Sequence, residues 1–113
     1  MRWVLRSKIN KAKVTQANVD YIGSITIDKD LVEKAGFWIG EKVLVTSTTS
    51  GTRLETYVIA GKSGSGTICM NGACAHVIKE GEVITIMGFE LTDRQIKANS
   101  ILVDKNNKFM KFL

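Results

Sequence analysis

Along most of the chain apolar side chains recur at every second residue rather than every third or fourth, so the dominant predicted element is the β-strand. Residues 42–48 (KVLVTST), 53–60 (RLETYVIA) and 83–87 (VITIM) carry this alternation most clearly. Shorter β-branched pieces at 11–15, 25–27, 67–70 and 101–104 extend it, separated by turns rich in Gly, Asn and Ser. The stretch 105–111 reads as a solvated terminal strand. Two short helices interrupt the pattern. Asp28 can cap a helix over 29–35 with Gly36 as its stop, and Thr92-Asp-Arg-Gln95 has the spacing of a capping box that opens a second. Many short strands, few hairpin signals and no proline predict a mainly β chain folded as a small closed barrel, because closure removes exposed sheet edges. Residues 61–66 (GKSGSG) lie between two strands and read as a loop within the domain; they lack the spacing of a phosphate-binding loop.

Composition narrows the picture. At 113 residues the chain suits one domain spanning 1–113. Its hydrophobic fraction of 44% and charged fraction of 24% are those of a globular protein, and no apolar run is long enough to cross a bilayer, so no membrane partner is expected. The apolar run at the N-terminus is too short for a signal-peptide core, which predicts a cytoplasmic location. There Cys69 and Cys74 are expected as small buried residues rather than a disulfide. His76 is the sole histidine, so no metal site is expected. A net charge of +5 and a pI near 9.4 admit two partners, nucleic acid or a small acidic substrate. Aromatic residues make up only 7%, with no interleaving of basic and aromatic positions. A non-enzymatic basic β-barrel that binds nucleic acid or a protein partner is therefore the alternative reading, and no nucleic acid is expected in the preferred one.

Three clusters could carry chemistry. Glycine before serine at Gly23-Ser24 tolerates backbone dihedrals closed to other residues, so its carbonyl can be presented to the serine hydroxyl; the plain reading is an ordinary turn. Period two places Arg53, Glu55 and Tyr57 on one strand face and Leu54, Thr56 and Val58 on the other. A guanidinium beside a phenol suits carboxylate binding and proton donation, while the plain reading is a solvated face. Asn71-Gly-Ala-Cys-Ala75 is a turn of small residues whose N–H groups a ligand can approach, or simply a hairpin or helix-entry turn. Lys8 by itself reads as a surface lysine, and Trp3, Phe37 and Trp38 as core or subunit contacts.

Taken in order, Ser7-Lys8-Ile9, Val14-Thr-Gln-Ala17, Tyr21-Ile-Gly-Ser-Ile-Thr-Ile-Asp28, Gly51-x-Arg-Leu-x-Thr-Tyr57, Asn71-Gly-Ala73 and Ala75-His76 resemble the pyruvoyl-dependent aspartate 1-decarboxylase family from about Lys8 to Asp104. The resemblance implies a six-stranded double-psi β-barrel with short helices, assembled as a homotetramer with active sites between subunits. It implies self-cleavage between 23 and 24, giving a small chain 1–23 and a large chain 24–113. In that chemistry the Ser24 hydroxyl attacks the Gly23 carbonyl, elimination follows, and the residual dehydroalanine hydrolyses to a covalent pyruvoyl cofactor. L-aspartate then loses its α-carboxylate through a Schiff base, leaving β-alanine for pantothenate and coenzyme A biosynthesis. By the same resemblance Arg53 and Lys8 bind substrate, Tyr57 is catalytic as proton donor with Ser24, Thr56 supports processing at Gly23-Ser24, and Asn71, Gly72 and Ala73 line the pocket. Tyr21 lies near the cleavage site, and a separate maturation factor is a possible partner. Thr56 and Tyr57 fall on opposite faces of a regular strand, which implies either an interface strand serving two sites or a bulge. Asn10 stands where the family commonly has histidine, and Cys74 where it has alanine.

Overall fold

In the computed structural model, which describes residues 1–113, the longest strand begins at the second residue. β1 spans Arg2–Lys13, whereas only its last residues were expected. Its alternation is broken twice, by register shifts between Leu5 and Ser7 and between Ile9 and Ala12, and Lys11 sits at φ 61°. Each bulge flips the inward face, so a period-two pattern cannot be read through them. The remaining elements are β2 (Gln16–Asn18), β3 (Ser24–Asp28), α1 (Lys29–Ala35), β4 (Lys42–Ser47), β5 (Arg53–Gly61), β6 (Ile68–Asn71), a 3-10 turn (Gly72–His76), β7 (Val83–Thr92), β8 (Asn99–Val103) and β9 (Phe109–Phe112).

The ladder order is β2-β6-β3-β5-β4-β7-β1-β8-β9. Six strands, β6 through β1, form its centre, so the expected mainly β class holds, and the count rises to nine through β2 at one end and β8 with β9 at the other. β1 and β2 stand six ladder steps apart, about 29 Å in a flat sheet. Yet only Val14 and Thr15 join them, a reach of about 11 Å. The sheet must therefore curl round on itself, and backbone bonds from Val14 N to Glu82 O (2.9 Å) and Thr15 N to Ile68 O (2.8 Å) seal the seam. Inside lies a cluster of 20 buried apolar residues, with Ile9, Ile25, Ile27, Ile68, Ile84, Ile86 and Ile101 fully enclosed. Parallel pairs β1–β8, β2–β6 and β3–β5 require the chain to cross over the barrel rather than return by hairpins.

α1 forms where expected. The Asp28 carboxylate accepts from Asp30 N (2.9 Å), and Gly36 closes the helix at φ 77°. The same carboxylate accepts from Gly64 N (3.0 Å) and Gly66 N (2.8 Å), which pins the glycine-serine loop onto the helix start. The helix expected after Thr92 is absent. Thr92 stays in the β1–β7 ladder opposite Arg2, its Oγ1 accepts from Arg94 N (3.2 Å), and the segment beyond offers no apolar stripe to bury. Phe37 is buried, whereas Trp3 and Trp38 are 71% and 81% exposed and cover no core. Cys69 is buried, Cys74 half-buried, and both are free.

Candidate active site

Ser24 opens β3, buried, with its neighbours Ile25 and Ile27 pointing into the barrel and Thr26 sharing its own face. The Ser24 hydroxyl donates to Ile22 O (2.9 Å) and accepts from Asn71 Nδ2 (3.1 Å). Asn71 ends β6 directly opposite Ser24 in the antiparallel ladder, and its Nδ2 also donates to Thr26 Oγ1 (2.9 Å). The amide is buried, and its Oδ1 accepts from Cys69 Sγ (3.0 Å). Cys74 Sγ donates to Asn71 O (3.0 Å) and lies 3.7 Å from Ser24 O. Burial pushes both thiols up from the ordinary cysteine value, and for Cys69 the nearby Cys74 adds to the rise.

The conformational demand at this turn falls on a different glycine from the one expected. Gly23 is not in the left-handed region, and a side chain there would meet nothing closer than Asn71 O at 4.0 Å. Gly72 is left-handed, at φ +74°, and a Cβ on it would stand 2.7 Å from Gly23 Cα and 3.2 Å from Tyr21 O. The main chain before Ser24 thus lies directly on Gly72, at a distance only glycine permits. Gly72 starts the 3-10 turn, whose Ala73 is exposed beside the site.

β3 runs parallel to β5 with Ile25 beside Val58. Carrying that register back puts Ser24 level with Tyr57 and Gly23 level with Thr56. β5 itself pairs with β4 without interruption from Lys42↔Tyr57 to Thr46↔Arg53, so no bulge re-aims either residue and the two point to opposite faces. Arg53, Glu55 and Tyr57 are exposed on the outer face, as the period of two predicted. Glu55 pairs with Lys42 (3.0 Å), and neither Arg53 nor Lys8 makes an ion pair within the chain.

No hydrogen bond or ion pair joins the Lys8 side chain to Ser24 within the chain. Lys8 lies in a cross-strand row, Lys8↔Met87↔Leu44↔Glu55, that reaches β5 only after three strand spacings, about 14 Å. It shares the outer face with Arg53 and Tyr57 because Ser7 and Ile9 on either side of it are buried. Tyr21 and Ile22, just before the Gly23-Ser24 bond, are 51% and 72% exposed. Asn10 ties β1 to β8 through Ser100 Oγ (2.8 Å) and Ile101 O (2.9 Å).

Thr26, Cys69 and the Gly72–Gly23 contact escaped the sequence reading. The S-I-T-I alternation at 24–27 does put two hydroxyls on one face, which is a signal for Thr26; nothing in the sequence places Cys69 against the Asn71 amide.

The chain matches the sequence profile of the aspartate decarboxylase family over residues 1–110. It is 50% identical to an aspartate 1-decarboxylase of Corynebacterium efficiens, over 97% of this chain and 84% of that one. It is 49% identical to one of Caldicellulosiruptor saccharolyticus, over 96% and 88%, and 44% identical to one of Neisseria meningitidis, over 95% and 87%. Among solved structures the computationally designed msDPBB_sym2 protein aligns with a TM-score of 0.47 at 16% identity, covering 77% of this chain and 99% of that one. The family match and these relatives make this β-barrel an enzyme of the decarboxylase class rather than a passive binding module. The chain belongs to the aspartate decarboxylase family.

Proposed function

We propose that this chain cleaves itself between Gly23 and Ser24 and, as a small chain 1–23 and a large chain 24–113, converts L-aspartate to β-alanine and CO2. It does so in the cytoplasm, supplying pantothenate biosynthesis. The observation that carries the proposal is the buried Ser24 hydroxyl, held between Ile22 O and Asn71 Nδ2 on a backbone that lies against Gly72, in a chain of this family. Processing forms a bond from Ser24 Oγ to the Gly23 carbonyl carbon and breaks the C–N bond, leaving an ester and a free Ser24 amine. Loss of the Ser24 α-proton with the Gly23 carboxylate as leaving group gives dehydroalanine. Addition of water and release of ammonia leave a pyruvoyl group on the large chain. Thr56, level with Gly23, supports this bond.

The residues around Ser24 suit that group. Asn71 stands as a donor beside the serine oxygen, no acidic side chain bonds there, and Ser24, Asn71, Gly72 and Ala73 would hold it. Its ketone supplies the electron sink that decarboxylation of an amino acid needs and that no ordinary side chain offers. Arg53, whose guanidinium no carboxylate of its own chain engages, binds a substrate carboxylate through its planar fork. Lys8 adds a second positive charge. Tyr57, on the Arg53 face and level with Ser24, holds the proton delivered to the α-carbon.

The complete site is assembled between subunits of a homotetramer, with Lys8, which makes no ion pair in its own chain, supplied across the interface. Supporting this, the outer face carries a groove of about 610 Å³ lined by exposed Trp3 and Phe89 with Leu44 and the Lys42–Glu55 pair. Thr56 then supports the Gly23-Ser24 bond from the face of β5 opposite the one that carries Arg53 and Tyr57.

The test is intact-mass spectrometry of the purified chain and of Ser24→Ala. The parent resolves into a fragment ending at Gly23 and a larger one lighter by one ammonia than its serine-terminated form. Ser24→Ala folds, stays whole and releases no CO2 from aspartate. A parent that persists uncut, even after incubation with lysate of its source to provide a maturation factor, or a Ser24→Ala variant that retains decarboxylation, refutes the proposal.

A further inference from the structure

The Ser24 hydroxyl has one hydrogen, and it goes to Ile22 O at 2.9 Å. The atom of Asn71 that faces Ser24 Oγ at 3.1 Å must therefore be a donor, the Nδ2 end of the amide. That end also meets Thr26 Oγ1 at 2.9 Å. Hydroxyls alone do not select it, since a flipped amide presents an oxygen to which both could donate after rotating their hydrogens. The selection comes from the other end of the amide, where a flip would set Nδ2 against Cys69 Sγ, a much weaker acceptor than a hydroxyl oxygen. Oδ1 accepts from Cys69 Sγ at 3.0 Å, and the Asn71 side chain is enclosed, with no water-facing surface to offer a substitute donor. We propose that Cys69 is a positioning residue for self-processing: its thiol, by donating to Asn71 Oδ1, holds the amide with Nδ2 toward Ser24 and so keeps the serine hydroxyl turned with its hydrogen on Ile22 O and its lone pairs free of the backbone.

The neighbouring strand geometry supports the assignment. Cys69 sits in β6 opposite Thr26, two residues before Asn71, so Cys69 and Asn71 project from the same face of the strand and their side chains meet without any backbone distortion. Burial among strands also keeps the thiol protonated, and hence a donor, at neutral pH. The second thiol does a different job. Cys74 Sγ donates to the main-chain oxygen of Asn71 and leaves the amide untouched. In the flipped state Ser24 Oγ would donate to Asn71 Oδ1, turning its hydrogen away from Ile22 O and out of the conformation seen here.

This inference rests on the proposal that Ser24 cleaves the chain, and the experiment separates the two. The fraction of uncut chain is followed by intact mass over time, at one temperature and pH, for the parent and for Cys69→Ser, Cys69→Ala and Cys69→Val, with circular dichroism and thermal unfolding of each. Cys69→Ser keeps a donor on Asn71 and cleaves at close to the parental rate. Cys69→Ala and Cys69→Val remove the donor while leaving a small or β-branched side chain suited to a strand, and they cleave on the order of tenfold more slowly with unfolding midpoints that do not track the loss. Two non-donors of different volume guard against misfolding of either one. If all three variants cleave like the parent, or if Cys69→Ser is as slow as Cys69→Ala, the donor role of Cys69 is wrong while self-processing stands. If the parent itself never cleaves, it is the processing proposal that fails.

Discussion

At the scale of single residues, the proposed site separates into groups that bind, groups that move protons and groups that only permit close approach. Arg53→Lys keeps the charge but loses the planar fork, so a fully processed variant shows a raised KM for aspartate with kcat less affected. Tyr57→Phe keeps the ring and removes the acidic hydrogen, and kcat falls on the order of a hundredfold with KM nearly unchanged. Steady-state kinetics on protein whose cleavage has been verified by mass distinguishes the two, and a processed Tyr57→Phe working at the parental rate removes Tyr57 from the mechanism. Gly72 belongs to the third group. Ala at φ +74° costs about 1–2 kcal/mol in backbone energy alone, and its Cβ would collide with Gly23 Cα besides. Gly72→Ala is therefore expected to lower the free energy of unfolding in urea by at least that amount and to slow cleavage. A variant as stable as the parent would show that the two backbones are not in contact.

At the scale of elements, two buried carboxylates hold loops to the barrel. Asp28 caps α1 and takes two further N–H groups from the 61–66 loop, so its loss frees three donors at once. Asp28→Ala is expected to cost about 3 kcal/mol, read as a drop in the denaturation midpoint at unchanged slope. Glu82, just before β7, accepts from Ser47 Oγ (2.6 Å) and Lys79 N (2.7 Å), joining the end of β4 to the turn that follows the 3-10 segment. These bonds, the one from Ser47 foremost, hold its carboxyl below the ordinary value of 4.5. A carboxyl depressed in the folded state contributes stability that is fully present above its unfolded value and is lost as pH falls through the folded one. The thermal midpoint is thus expected to decline as pH drops from about 6 to about 3, and Glu82→Gln, lower at neutral pH, to show a shallower decline. Parallel curves for parent and variant would assign the acid sensitivity elsewhere.

At the scale of the whole molecule, the proposal builds each site from two subunits, with Lys8 and Arg53 on one face of the sheet but in strands that are not neighbours. Lys8→Ala and Arg53→Ala chains, each inactive alone, are expected to regain part of the activity when co-expressed, because mixed assemblies contain some sites built from two intact residues. Trp3→Glu puts a charge into the exposed apolar face and is expected to yield a smaller species by light scattering without loss of β signal in circular dichroism. Co-expressed chains with no recovered activity would mean that each site draws both residues from one subunit.

Much of this was legible along the chain. The β class, the Asp28-capped helix with its Gly36 stop and the outward face of Arg53, Glu55 and Tyr57 follow from local patterns, because side-chain alternation and cap chemistry depend on neighbours within a few residues. The Gly23-Ser24 bond, proposed above as the cleavage point, stood out only through the family resemblance, since the dipeptide by itself reads as an ordinary turn. Other features were settled only by tertiary structure. Bulges hid most of β1, and Thr92 remained in a strand despite a good capping-box spacing, since pairing with Arg2 outweighs a cap that leads no amphipathic helix. The glycine demand moved from Gly23 to Gly72, because what restricts that position is a backbone arriving from far earlier in the chain, at Tyr21 and Gly23. The Cys69–Asn71–Ser24 chain of bonds likewise exists only because β6 and β3 pair antiparallel in one register, and no local pattern encodes which side chains a register will bring face to face.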